Sequence, residues 1–232
     1  MTKKVAVCLS GGVKFLEKGL NSIKQLSDIH DVKVFGHTWK INDKEDFGKN
    51  SWTGFQTSKE SPNDSLLKLI LECQFERIII DNFEEKKPLF EKLFQSIGFS
   101  ITDRKDVGPL SMFYSIHESN RIRIEFEKET GRIADVIIRM RYDSNIINPE
   151  QLDLNSVEED VLYIPEGQNW NGINDQFAYG SNHVMNIYAS LILNLKQFTG
   201  KLYNPEAMLK HYLTLANVKI QRPNITVKIN NQ

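Results

Sequence analysis

Arg139-Met140-Arg141-Tyr142-Asp143 closes an apolar run, Val136 to Arg141, that reads as a β-strand. Alternate residues of a strand share a face, so Arg139, Arg141 and Asp143 can point the same way. Two guanidiniums beside a carboxylate are expensive on an apolar strand unless partners neutralise them. A diphosphate is one such partner, because Arg binds it through paired hydrogen bonds. Asp143, with Asn145, could then hold a hard divalent cation bridging the same phosphates. A structural Arg–Asp pair at a strand end accounts for the pattern equally well. Asn174-Asp175-Gln176 lies between a Trp-Asn-Gly turn and a short apolar strand. Asp175 could deprotonate a hydroxyl there as a general base, or serve as a turn or cap residue.

Other strand ends carry polar groups too. Ser10-Gly11-Gly12 follows the first apolar run, and glycine lets a phosphate approach the backbone closely. A tight turn would use the same residues. No GxGxxG or GxxxxGK[ST] motif is present. His37-Thr38-Trp39 ends a second run and Asp81-Asn82 a third. Of the histidines, His37 is the one placed for chemistry, and none shows metal-ligand spacing. Trp39, Trp52 and Trp170 sit in polar surroundings, where an indole can stack on a base or sugar, or seal a core edge.

The elements that would position these groups alternate. Strands are expected at Val5 to Leu9, Val32 to Gly36, Arg77 to Ile80, Val136 to Arg141, Val161 to Ile164 and Gln176 to Tyr179. Apolar residues at helical spacing predict helices over 14–27, 64–73, 84–97, 182–195 and 205–216. Pro109 and Gly131 bracket one more. Inside that helix, Arg-Ile-Arg-Ile-Glu-Phe-Glu at 121–127 alternates with period two, a strand signal that conflicts with the bracketing caps. Residues 218–229 read as one or two strands broken at Pro223. The polar segment 40–63, with isolated aromatics, reads as a long loop able to act as a mobile flap over a ligand. Together these predict an α/β fold: one domain with a central sheet covered on both faces. In such sheets ligands bind beyond the carboxyl ends of the strands.

The chain has 232 residues, 40% hydrophobic and 25% charged, as expected of a globular protein. With 29 Lys+Arg against 30 Asp+Glu, the net charge of −1 argues against a nucleic-acid partner. Cys8 and Cys73 form no CxxC or zinc pattern and read as buried free thiols in a reducing compartment. The apolar runs fall short of the roughly 20 residues a membrane span needs. A cytoplasmic location is therefore expected.

Several blocks together resemble a family. They are Val-Ala-Val-Cys-Leu-Ser-Gly-Gly at 5–12, Phe-Gly-His-Thr-Trp at 35–39 and Asp135 to Asp143. Ile173 to Gly180 with Met-Asn-Ile-Tyr at 185–188, and Asn204 to His211, complete the set. Their order and spacing resemble the small GT-A-fold nucleotide-sugar glycosyltransferases of large DNA viruses, phages and bacterial surface-polysaccharide clusters. The resemblance implies a Rossmann-like mixed sheet, with a nucleotide-binding part over roughly 1–145 and an acceptor-side part over roughly 146–232. It implies a nucleotide-sugar donor, a UDP-sugar favoured, a glycan or other hydroxyl acceptor, and a divalent Mn or Mg; a viral member would work in the host cytoplasm. Carried onto this sequence, Ser10, Gly11, Gly12, His37, Thr38 and Trp39 fall on the nucleotide side. Ser111 and Tyr114 face the same cleft, Arg139 or Arg141 contacts the diphosphate, Asp143 holds the metal and Asp175 is the acceptor-side base. The family's Asp-x-Asp metal motif is absent; Arg141-Tyr142-Asp143 and Asp143-Ser144-Asn145 are its nearest forms. A non-catalytic nucleotide- or glycan-binding module of the same fold, or a sugar nucleotidyltransferase, are the other readings.

Overall fold

The apolar runs of the first half assemble into a parallel sheet. β1 (Lys4–Ser10) lies between β2 (Asp31–Lys40) and β4 (Val136–Met140), and β2 pairs outward with β3 (Arg77–Asn82), all parallel. The second half extends it with reversed direction. β7 (Phe177–Gly180) runs antiparallel to β4 and to β6 (Val161–Tyr163), and β8 (Lys219–Gln221) runs parallel to β6. The order is β3-β2-β1-β4-β7-β6-β8, a seven-stranded mixed sheet. A two-stranded ribbon of β5 (Ser144–Ile146) and β9 (Val227–Ile229) stands beside it. The computed structural model describes residues 2–13, 16–40, 62–97, 108–198 and 204–229, without the side chains of 62–66. The segment read as a flap, 40–63, lies outside the described residues except at its two ends.

Both faces of the sheet are covered, as the buried strand sequences require. The described helices are α1 (Leu16–Ser27), α2 (Pro62–Glu72), α3 (Phe83–Ser96), α4 (Gly108–Thr130), α5 (Asn182–Ala189) and α6 (Pro205–Leu215). One core joins Ala6, Phe35 and Ile137 to the apolar sides of α3, α4, α5 and α6. The other joins Val5, Val7, Val136 and Ile138 to α1, Leu69 of α2 and the segment around Leu152 and Leu154. Each strand of the first half thus feeds alternate residues to opposite cores, the expected consequence of its period of two. Cys8 and Cys73 are buried and free, and burial pushes both thiols up to about 12.

The period-two stretch 121–127 is helical. Its alternating charges are also four residues apart, the spacing that places side chains on one helix face. Arg121 pairs with Glu125 at 2.6 Å on the outside, and Arg123 pairs with Glu127 at 2.6 Å in the interior. The buried pair is satisfied from several sides. Arg123 Nε donates to Asn120 Oδ1 at 3.0 Å and its Nη2 donates to Asn186 Oδ1. Glu127 accepts from Asn182 Nδ2 at 3.1 Å and from the Ala134 N–H at 2.9 Å. This network ties α4 to α5 and to the approach to β4.

The single helix expected over 182–195 is a correction. α5 ends at Ala189, and a 3₁₀ segment, Leu191–Phe198, continues with a non-helical Asn194. Ser190 causes the break: its hydroxyl bonds the Ile187 carbonyl at 2.9 Å and the Tyr212 hydroxyl at 2.7 Å, competing with the backbone ladder. The two strands allowed for 218–229 are both present, but they belong to different sheets.

Removing Arg123 would strand Glu127 in the interior. Arg123→Ala is expected to destabilise the fold by about 3–5 kcal/mol, whereas Arg123→Met with Glu127→Leu should retain most of the stability. Urea denaturation of the two variants checks this, and similar losses in both would overturn it.

Candidate active site

In a sheet of this order, the strand sequence reverses direction between β1 and β4, which opens a crevice at their carboxyl ends. β7 enters the sheet at the same edge, since Phe177 lies opposite Met140. Arg139, near the end of β4, is fully buried at this point. Its Nε donates to Ser10 Oγ at 3.1 Å, and its Nη1 donates to the backbone carbonyl of Asp175. Tyr188, reaching across from α5, donates its hydroxyl to the same carbonyl at 3.4 Å. Three chain segments far apart in sequence are thus held together through one guanidinium.

The Asp175 carboxyl is also buried, and burial pushes its pKa up; the positive charges of Arg139 and Arg141 oppose the shift without cancelling it. That leaves a carboxylate whose proton affinity is raised, the property a general base at neutral pH needs. Glu206, in the first turn of α6, lies beside it. Partial burial and the Asp175 charge push Glu206 up to about 7. The chain before Asp175 is docked on this turn. Ile173 N–H donates to the Glu206 carbonyl at 3.0 Å, and a side chain at Gly172 would put a Cβ 2.0 Å from the Glu206 carbonyl carbon. Only glycine permits that approach.

Arg141 and Asp143 meet directly in the turn after β4. Nε and Nη2 of Arg141 donate to the two carboxylate oxygens of Asp143 at 2.8 and 2.7 Å. The Arg141 side chain is 37% exposed and that of Asp143 only 4%, so part of the arginine is open while the carboxylate is enclosed.

A second cluster adjoins at the ends of β2 and β3. His37 is buried, with Nδ1 2.8 Å from Ser115 Oγ and Nε2 3.2 Å from Asp81 Oδ2. Burial pushes the His37 pKa down despite Asp81, which fits a neutral ring. Assigned from this network, Nε2 carries the proton and donates to Asp81, and Nδ1 accepts from Ser115. Tyr114 also donates to Asp81 at 3.1 Å, and Lys86 lies 3.3 Å from the same oxygen. The line Ser115, His37, Asp81 has the residue types of a hydrolase triad. Ser115 is buried in α4, however, and its oxygen accepts the Gly11 N–H at 2.8 Å, so it is not presented as a nucleophile.

The structure therefore sorts the residues singled out in the sequence. It brings together Ser10, Arg139 and Asp175 in one group, and Arg141 with Asp143 beside them. Gly11, with φ +112°, turns the chain out of β1; its N–H is taken by Ser115 and its carbonyl accepts from Thr38 Oγ1 at 2.9 Å. Among the described residues, nothing lies within 4 Å of where a Cβ would stand at Gly12. Buried His37 and Thr38 support this turn from beneath, and Trp39 stacks on Tyr114 at 5.6 Å between ring centres. Ser111 donates to the Gly108 carbonyl at 2.9 Å at the start of α4. Sequence reasoning missed Glu206, Tyr188 and Ser115, and used Asp81 only as a strand end. Helical spacing made Tyr188 a core residue, and nothing local distinguishes Glu206 from any acidic residue in a first helical turn.

The described residues around Asp143 do not fit a divalent cation. Both Asp143 oxygens are engaged by Arg141, and no group of three or more His, Cys, Asp or Glu side chains suited to a metal occurs among the described residues. A cavity of about 500 Å³ lies elsewhere, bounded by Asp153, Tyr163, Tyr179, Gln221 and Arg222. None of the clustered residues lines it. No helix among the described residues is long and apolar enough to cross a membrane.

No protein-family model matches the sequence, and no curated protein matches it. Among solved structures, this chain is similar to the apo form of the glycosyltransferase GlyE of Streptococcus pneumoniae TIGR4. The TM-score is 0.42 at 10% identity, over 96% of this chain and 45% of that one, so it spans less than half of GlyE. It is also similar to the apo form of mouse xyloside xylosyltransferase 1, with a TM-score of 0.44 at 12% identity, over 95% of this chain and 84% of that one.

Glu206 gives the site a pH signature. Its pKa is raised from 4.5 to about 7 on folding, so the folded state holds a proton that the unfolded state has released between those values. Stability from this group is complete below pH 4.5 and is lost as pH rises through about 7. Glu206→Gln should flatten the decline in Tm between pH 5 and about 7.5. Asp175→Asn should move the same decline to lower pH by removing the neighbouring charge. Thermal melts of the three proteins across this range test it, and identical slopes would contradict it.

Proposed function

We propose that the protein is a glycosyltransferase that moves a sugar from a nucleotide-sugar donor to a hydroxyl acceptor. The observation that carries the reading is the buried Asp175 carboxyl of raised pKa, held beside two guanidiniums where the sheet order reverses. A transferase of this kind needs a base for the acceptor and positive charge for a departing diphosphate, within one crevice. The motif resemblance of the sequence points to the same chemistry.

In this mechanism Asp175 accepts the proton of the acceptor hydroxyl. The oxygen then attacks the anomeric carbon, forming the new glycosidic bond as the bond to the diphosphate oxygen breaks. The diphosphate leaves with the bonding electrons and meets the open part of Arg141, whose charge is fixed in place by Asp143. Arg139 is too deeply enclosed to follow the leaving group. It acts through position, anchoring the Asp175 backbone and adding to the field. No step uses a divalent cation, because the donor set around Asp143 does not fit one. The donor is placed near the end of β1, where no described residue crowds Gly12.

The Arg141–Asp143 closure also favours a second reading, a binding module of the same fold that does not transfer. Asp175→Asn separates the two readings. It keeps the side-chain shape, and the bonds from Arg139 and Tyr188 go to the unchanged backbone carbonyl. For a transferase, donor affinity should stay near normal while turnover falls about a hundredfold or more. Calorimetry with nucleoside diphosphates and sugar nucleotides, run with EDTA and with Mn, supplies the affinities. Affinity that requires Mn would reinstate a metal at Asp143. Full turnover in Asp175→Asn would remove Asp175 as the base.

A further inference from the structure

The segment between β6 and Asp175 takes an unusual path. Gln168, Trp170 and Asn171 have φ of 54°, 39° and 67°, a left-handed conformation that residues with a side chain rarely adopt, and Gly167 precedes them at 92°. Non-glycine residues in that region persist only where their surroundings hold them there, and such sites cluster at functional surfaces. Here the surroundings do so from both sides. Asn174 N–H donates to Asn169 Oδ1 at 3.2 Å, closing the loop at its base immediately before Asp175. Asn204, the N-cap of α6, donates through Nδ2 to the Trp170 carbonyl at 2.6 Å. Gly172 rests directly on the backbone of Glu206.

What this arrangement presents is an indole. Trp170 is 64% exposed, whereas Trp39 is buried. Its Nε1 donates to Gln168 Oε1 at 3.2 Å within the loop, which orients the ring. A single exposed apolar residue on a surface needs no explanation. An exposed indole fixed by a strained backbone beside the buried Asp175 and half-buried Glu206 carboxyls is different. A rigid aromatic side chain offers a large contact area with little conformational entropy left to lose on binding. The loop is rooted at Asp175 and Glu206, on the acceptor side of the crevice, and away from the turn at Gly11 and Gly12 where the donor is placed.

We propose that residues 167–172 form an acceptor platform on which Trp170 stacks against the C–H face of a neutral pyranose ring, delivering one of its hydroxyls toward Asp175. This rests on the transferase reading and deepens it by naming the acceptor class and the residue that holds it. A pyranose suits the platform because one face of the ring presents C–H groups to an aromatic surface while the ring edge keeps its hydroxyls for hydrogen bonding. Gln168, whose Oε1 accepts the indole N–H, stands beside the ring as a polar neighbour of that edge.

The test uses the full chain and a panel of methyl glycosides of glucose, galactose, mannose, xylose and N-acetylglucosamine, read by saturation-transfer NMR and titration. At least one glycoside should bind, with its C–H protons receiving saturation from an indole. Trp170→Ala should weaken it about tenfold, the loss of one ring-stacking contact, while Trp170→Phe keeps it within about threefold. UDP affinity and Tm should be unchanged in both variants. Equal glycoside affinity in wild type and Trp170→Ala overturns the platform, as does saturation of the UDP base by Trp170. UDP binding without any glycoside binding overturns the platform and leaves the transferase reading in place. Glycoside binding at Trp170 without binding of any nucleoside diphosphate or sugar nucleotide upholds the platform as a sugar site and overturns transfer. Absence of both removes both proposals.

Discussion

A buried guanidinium without a carboxylate bonded to it sets the terms for the whole carboxyl edge of the sheet. Arg139 is enclosed, and among the described residues no carboxylate lies within ion-pair distance of it. Burial pushes its pKa down, yet guanidinium stays charged under any ordinary condition. The cost of enclosing that charge must be offset locally by oriented dipoles and nearby negative charge. Ser10 Oγ, the Asp175 carbonyl and the field of the Asp175 carboxylate supply that compensation. They come from two distant parts of the chain, the end of β1 and the entry to β7. The same interaction that keeps Arg139 tolerable in the interior therefore fixes the end of β1 and the entry to β7 against β4. The crevice between these strands would otherwise be the weakest seam of the sheet, since its halves arrive from opposite directions of winding.

A second layer of polar burial makes the β1 side of the crevice rigid. Ser115 accepts from Gly11 and meets His37, His37 meets Asp81, and Asp81 gathers Tyr114 and Lys86. Every member is bonded, which is the condition under which a buried polar network specifies one arrangement rather than weakening it. Its effect is to hold the Gly11 turn in one conformation. At the far end of α4, the Arg123–Glu127 network does the corresponding work against α5. One helix is thus locked by polar contacts at both ends while its apolar side lies on the sheet. That geometry explains how residues as distant as Tyr114 and Asn186 share one rigid frame.

The legible part of the sequence was the part governed by local pattern. Apolar runs bounded by turn residues gave the first-half strands to within a few positions, because a fully buried strand tolerates few substitutes for Val, Ile and Leu. The clustering of polar groups at strand ends located the edge where Ser10, Arg139, Arg141, Asp143 and Asp175 collect. Their partners were not legible, because pairing is a tertiary matter. Arg139 and Asp143 sit four residues apart and read as one charge cluster, yet Arg139 turns to backbone and hydroxyl groups and Asp143 to Arg141. Glu206 lies 31 positions beyond Asp175 in the numbering of the chain and meets it only because α6 is docked by Gly172. His37 looked like a strand-end ligand because type and position are visible in a sequence while burial is not. The break after Ala189 was hidden for a related reason: the hydroxyl of Ser190 is drawn away by Tyr212, a residue on another helix.

The two sides of the crevice differ in how their backbone is held, and that difference has a physical consequence. On the β1 side the one left-handed residue beside the site is a glycine, Gly11, for which the conformation carries little penalty. On the Asp175 side the left-handed positions include Gln168, Trp170 and Asn171, each disfavoured there, and the carbonyl of Trp170 is held by Asn204 at the start of α6. Loosening α6 would therefore release the loop at once, whereas the Gly11 turn would survive the loss of any single partner with less relaxation. Glu206 sits at the contact that matters, and its charge state changes near neutral pH. Deprotonation adds a second negative charge beside Asp175 and weakens the dock of α6 on Gly172 and Ile173. The carboxyl pair thus couples proton uptake to the placement of the strained loop, while the β1 side rests on a neutral His37 whose bonds to Ser115 and Asp81 lie outside that pair.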